Sequence, residues 1–117
     1  MLALYGGVVP QESVESVFAR FVEKRSVRTL GYNPLFKHIL LDAAVLAAYR
    51  EWAYDHVMDY WGGMLETGGD TWWAKYDPAV NGPIDGVPLC CGAGAVPNAF
   101  LTAEIVGLRP AAPGFTA

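Results

Sequence analysis

Charge is scarce in this 117-residue sequence: Asp, Glu, Lys and Arg make up 17% of it, against ~25% in an average soluble domain. What charge there is leans acidic, with a formal net of −4 and a pI near 4.9. That balance excludes nucleic acid as a partner, because phosphate binding needs clustered Lys and Arg. The one basic cluster, Lys24-Arg25 with Arg28, reads as a solvated helix end. Long apolar runs are missing too. The longest, Ile39 to Tyr49, is broken at Asp42 and falls short of the ~18 residues a membrane span requires. With no charged leader and cleavage site either, the chain is expected to be soluble and cytoplasmic, with no membrane partner. Cysteine is limited to the neighbours Cys90 and Cys91. Adjacent cysteines rarely bridge each other, two are too few for a disulfide scaffold, and the spacing is not that of a zinc site. Both read as reduced thiols with a structural role, and neither a metal nor a cofactor is called for. Useful β-alternation and any repeat of fixed period are also lacking.

What is present is apolar and aromatic. Hydrophobic residues make up 53% of the chain, with four Trp and six Tyr, which rules against disorder. It also gives more apolar surface than a domain of this size easily hides. The chain is therefore expected to pack against more protein or to line an aromatic cleft.

The order of elements reads as follows. Met1-Leu-Ala-Leu-Tyr5 before Gly6-Gly7 looks like a last helical turn closed by glycines, as though the start of that helix were lost. Pro10-Gln-Glu-Ser13 precedes Val14, Val17, Phe18, Phe21 and Val22 at amphipathic helical spacing. Lys24 and Arg25 would sit in the last turn, where positive charge suits the dipole. After a loop through Leu30-Gly31-Tyr32, Asn33 and Pro34 supply a cap and a first-turn proline for a second helix over Leu35 to Tyr49. Apolar on nearly every side, it should be central. A third helix from about Glu51 to Tyr60 carries Trp52, Tyr54, Val57, Met58 and Trp61 and is expected to stop at Gly62-Gly63. From Gly68 to Gly94 follows a long loop rich in Gly, Pro, Asp and aromatics, of a length that is usually functional. A last short helix, Pro97 to Val106, is stopped by Gly107, and Arg109-Pro110 and Pro113-Gly114 finish the chain. The fold class is thus all-α: antiparallel helical hairpins with a long aromatic loop, in a single domain over 1–117.

Carbohydrate sites combine flat aromatic platforms with groups that hydrogen-bond hydroxyls. The loop offers both: Trp72, Trp73 and Tyr76 with Trp61 just upstream, and Glu66, Asp70, Asp77, Asn81 and Asp85 as polar groups. The plainer reading of the tryptophans is that they anchor a long loop in the core. Glycoside hydrolysis needs two carboxyl groups across the scissile bond, and the candidates here are Glu66 and Asp70, which also fit a solvated pair. His38 and His56 have no Ser or Cys partner by spacing, so a triad finds no support. Gly92-Ala-Gly94 lacks the Lys-Ser/Thr of a phosphate loop.

Several segments also resemble, in the right order, the bacterial α-L-rhamnosidases of glycoside hydrolase family 78, in the final part of their (α/α)6 toroid catalytic domain. They are Leu4-Tyr-Gly-Gly-Val-Val-Pro10, Asn33-Pro34-Leu-Phe36 through Ala48, and Asp59-Tyr-Trp-Gly-Gly-Met-Leu65. Gly69-Asp-Thr71-Trp-Trp73 falls on the family's Gly-x-Thr-Thr-x-Trp-Glu motif. Leu89-Cys-Cys-Gly with Pro97, and Gly107-Leu-Arg-Pro-Ala-Ala-Pro-Gly-Phe115, are similar to its closing segments. The resemblance implies inverting hydrolysis of terminal α-L-rhamnose without a cofactor, using an acid on an upstream loop and a general-base Glu after the motif Trp.

Placed on that pattern, Trp73 takes the motif Trp, Ala74 the general-base Glu, and Cys91 a position where the family has His. The acid-bearing loop has no counterpart. The resemblance therefore implies a partial toroid, a fragment or degenerate relative that is inactive alone. Residual sugar binding would fall to Trp61, Asp70, Trp72, Trp73 and Tyr76, with Asp70 the one carboxylate available as a displaced base. The partners implied are a rhamnose-containing carbohydrate, and further copies of the chain or the remainder of a larger catalytic domain. The alternative, from a different class, is a small helical interaction or assembly protein that has lost the sugar site.

Overall fold

The structure is a computed structural model that describes residues 1–23 and 33–112. The expected basic cluster Lys24-Arg25-Arg28, the loop Leu30-Gly31-Tyr32 and the closing Pro113-Gly114-Phe115 lie outside the described residues. The chain opens with the expected single turn, α1 (Leu2–Tyr5), and leaves it through Gly7 at φ +67, a left-handed conformation that glycine adopts without steric cost. A 3-10 turn over Gln11–Ser13 leads into α2 (Val14–Glu23). Of the expected apolar stripe, Val14 and Phe18 are buried and Phe21 and Val22 pack against them, while Val17 stays exposed at its edge.

The next helix, α3 (Pro34–Leu46), starts where the sequence places it. Asn33 is extended and its Oδ1 accepts the Leu35 N–H at 2.9 Å, while Pro34 fills the first turn. It ends short of the expected Tyr49. Ala48 takes φ +65, so that Tyr49 N–H donates to Ala44 O and Ala48 N–H to Val45 O. This is the Schellman arrangement, built here on alanine where glycine is usual.

The third helix runs further than its sequence suggests. From α4 (Arg50–Val57) it passes through a π-helical turn, Met58–Gly62, directly into α5 (Gly63–Glu66). Gly62 and Gly63 do not stop it; both keep helical angles. The stop comes at Gly68-Gly69, where Gly68 has φ +86 and Gly69 N–H reaches back to Met64 O, a second Schellman closure. The loop beyond holds a two-stranded antiparallel sheet, β1 (Tyr76–Asp77) against β2 (Gly82–Pro83), with Tyr76 opposite Pro83. A 3-10 turn over Gly92–Ala95 then enters α6 (Val96–Phe100), and a π-helical turn, Leu101–Ile105, closes before Gly107 at φ +80.

The described residues are thus mostly helical with one small sheet. No helix among them is long and apolar enough to cross a membrane. Helix α3 packs against α1, α2, α4 and α6, and it contributes Leu40, Leu41, Ala43 and Ala44 to a core shared with Leu4, Phe18, Ala53, Val57, Met64 and Phe100. Its alanines leave room for close helix approach. Its burial is one-sided, however. Leu35 and Leu46 remain 52% and 55% exposed and Phe36 is exposed beside them.

Candidate functional site

The aromatic residues nominated for a sugar site are brought together, but inward. Trp61 is 1% exposed, and its indole N–H donates to the Gly94 carbonyl at 2.9 Å. The Tyr76 hydroxyl donates to Asn81 Oδ1 at 2.6 Å, and the Tyr76 backbone N–H donates to the Tyr60 hydroxyl oxygen at 3.2 Å. The rings of Tyr60 and Tyr76 meet edge to face at 5.5 Å, Tyr60 and Trp61 at 4.8 Å, and Trp73 lies 6.1 Å from Tyr76. These contacts form a nest in which Tyr60, Trp61 and Tyr76 have their polar edges hydrogen-bonded and all four rings are buried. Trp61, Trp73 and Tyr76 thereby pin the 68–94 segment onto the α4–α5 helix. A sugar platform needs a ring face open to solvent, and of this group only Trp72 is half-exposed.

The segment is organised by backbone pairing as well. Cys91 N–H donates to Trp72 O at 2.8 Å and Ala74 N–H to Pro88 O at 3.0 Å, and the Thr71 hydroxyl donates to Leu89 O. Residues 71–77 and 82–91 therefore run as one irregular hairpin. Ala74, at the position where the rhamnosidase pattern has its base, is half-buried in this ladder, and its methyl side chain can neither accept nor donate a proton. Glu66, Asp70 and Asp85 are exposed and Asp77 is half-buried, where its Oδ1 accepts the Ala79 N–H at 2.9 Å as a turn-forming contact. Asn81 is occupied with Tyr76. Cys90 is exposed and Cys91 half-buried, both as free thiols. Among the described residues no group of three or more His, Cys, Asp and Glu is placed to hold a metal ion.

The titratable centre of the molecule lies elsewhere, between α3 and α4. Lys37 shares the buried face of α3 with Leu40, Leu41 and Ala44, at the i, i+3, i+4 and i+7 positions, and is 6% exposed. Its Nζ stands 3.1 Å from His56 Nε2 and 4.5 Å from the centroid of the Tyr60 ring. The His56 ring is in turn stacked on Trp52 at 5.2 Å with an interplanar angle of 7°. Burial lowers the Lys37 amine to about 8. Burial first, and the Lys37 charge second, lower His56 to about 3. At neutral pH an ammonium therefore donates to a neutral imidazole and rests on an aromatic face. The sequence carries the signal for it, a lone Lys near the start of an otherwise apolar stripe.

On the outer side of α4, Arg50, Glu51, Tyr54, Asp55 and Ile105 line an open groove of about 500 Å³. Glu104, with its side chain 8% exposed, accepts from Arg50 Nε at 2.8 Å and is paired with Arg109 as well. Those bonds tie the end of the chain to α4. No family model, no curated protein and no solved structure matches this chain.

Proposed function

We propose that the chain is a non-catalytic helical module that works by packing against further helices, the remainder of a six-hairpin-type domain or other copies of itself. The observation that carries this reading is the bare side of α3. Leu35 and Leu46 lie on one stripe with the half-buried Ile39, eleven residues apart from end to end, and Phe36 flanks them. His38 and Asp42, paired at 3.5 Å, lie on the same face, so the bare apolar groups form patches at the two ends of the stripe, of the kind that a partner covers. In a closed (α/α)6 toroid the inner helices are covered on both sides, which is the covering the rhamnosidase-like resemblance would supply. The sugar chemistry of such a parent, hydrolysis of terminal α-L-rhamnose, has no base in Ala74, and the buried Trp61, Trp73 and Tyr76 favour the assembly role over the carbohydrate one.

Light scattering on the purified chain tests the proposal. Self-association at tens of micromolar is expected, and Leu35→Glu with Leu46→Glu should return the chain to monomer. A wild-type monomer that unfolds cooperatively would refute it. Residual sugar binding, favoured by the half-exposed Trp72 beside the exposed Asp70, is addressed by titrating L-rhamnose while following tryptophan fluorescence. The assembly reading requires no change up to high millimolar sugar.

A further inference from the structure

We propose that the Lys37–His56 pair is an acid-operated latch on the α3–α4 seam, closed while His56 is neutral and forced open when His56 takes up a proton. The geometry sets the argument. His56 Nε2 is the acceptor for the Lys37 ammonium at 3.1 Å. Adding a proton at that nitrogen removes the acceptor and places a second positive charge at hydrogen-bond distance from the first. Two like charges so close in a desolvated site repel strongly.

The surroundings offer no relief. From the π-helical turn after α4, Tyr60 presents its ring to the ammonium. From α2, Phe18 packs edge-on against Trp52 at 5.4 Å, while Glu15, Arg20 and Glu23 of that helix are exposed. On α3 itself, Asp42 pairs with His38 at 3.5 Å, and from α1 Tyr5 meets that same His38 ring. Arg50 of α4 is bound to Glu104, the charged group contributed by the turn after α6. Glu51 and Asp55 line the outer groove. Among the described residues no carboxylate lies within ion-pair distance of Lys37 or His56. Protonated His56 can therefore be accommodated only by leaving the seam, and its departure unstacks Trp52 and opens the contact that Trp52 makes with Phe18.

The sign of the linkage agrees. His56 is lowered from 6.5 to about 3 in the folded chain, so the unfolded chain binds the proton first as pH falls. Stability is unaffected by this group above pH 6.5, and below it the unfolding equilibrium constant rises by about tenfold per pH unit until the folded value near 3 is reached.

The test is a pH titration of the full chain from 8 to 3. Near-UV circular dichroism and tryptophan fluorescence report packing, and NMR follows the C2 protons of the two histidines. The His56 resonance should stay that of a neutral imidazole until the near-UV signal is lost. His56→Gln keeps an acceptor for Lys37 that does not protonate in this range, and it should lower the midpoint of the loss by a pH unit or more. Lys37→Met removes the first charge, the smaller of the two causes that hold His56 neutral, and should lower the midpoint by less. A His56 resonance that titrates near pH 6.5 while the packing signals persist would overturn the latch. So would midpoints in both variants equal to wild type, which would assign the acid transition to the carboxylates.

Discussion

Gly62 and Gly63 have nearly identical helical angles, φ −58, ψ −43 and φ −57, ψ −37, yet alanine at the two positions should change stability in opposite directions. A Cβ on Gly63 would stand 2.4 Å from the Tyr76 hydroxyl oxygen and 2.9 Å from Cζ, well inside van der Waals contact. Tyr76 is buried and its hydroxyl is committed to Asn81, so the ring has nowhere to move without breaking that bond. Overpacking of a filled core costs ~1–3 kcal/mol, and the lost hydrogen bond adds about 1 kcal/mol. Gly63→Ala should therefore destabilise by about 2–4 kcal/mol. A Cβ on Gly62 meets only Met58 Cε at 3.9 Å. Gly62→Ala should gain the ~0.5–1 kcal/mol by which alanine exceeds glycine inside a helix. Urea denaturation followed by far-UV circular dichroism gives both values on one scale. If the two variants shift the midpoint alike, the close seating of Tyr76 on Gly63 is wrong, and with it the account of how the 68–94 segment is held.

Ala48 is exposed in a left-handed conformation that costs a β-carbon ~1–2 kcal/mol. Ala48→Gly should recover part of this, about 0.5–1 kcal/mol after the greater freedom of glycine in the unfolded chain is set against it. A lower thermal midpoint in this variant would contradict the Schellman closure of α3. Lys37→Met keeps an unbranched apolar stem one atom shorter and removes the buried charge. The displacement of the amine from 10.5 to about 8 corresponds to about 3 kcal/mol against folding at pH 7. Loss of the His56 and Tyr60 contacts offsets about 1–2 kcal/mol of the gain. The remaining stabilisation should be full below pH 8 and fade towards pH 10.5, as the wild-type amine becomes neutral in the unfolded chain as well. Chemical denaturation at pH 7 and at pH 10.5 checks it, and an equal difference at both would refute it.

The helices were readable where local chemistry and tertiary demand coincide. Val14, Phe18, Phe21 and Val22 repeat at helical spacing because that spacing builds a buried stripe, and Asn33-Pro34 is a start signal whose geometry is local. The misreadings fall where a residue's role depends on something distant in sequence. Two glycine pairs, Gly62-Gly63 and Gly68-Gly69, look alike as helix stops. Only the second takes a positive φ, at Gly68, because the first is required for the approach of the Tyr76 ring. The reverse holds at Ala48, where the chain turns left-handed without the glycine that would announce it. Strands of two residues each, held by Tyr76 and Asn81, are too short for any alternation to show.

The aromatic segment makes the same point about function. Trp61, Trp72, Trp73 and Tyr76 have the composition of a sugar cleft and also that of a loop anchored in a core, and composition cannot separate the two, since both use large rings with one polar edge. What separates them is the destination of each polar edge. The Trp61 N–H ends on Gly94 O and the Tyr76 hydroxyl on Asn81 Oδ1, both within the segment that these rings anchor. Groups spent on holding the loop are not available to a hydroxyl of a sugar. Lys37 is the opposite case: a single charge within an apolar stripe gives no local sign of a partner nineteen residues away. In the fold it is the residue whose burial against His56 most needs a reason, and titrating His56 puts that reason to a direct test.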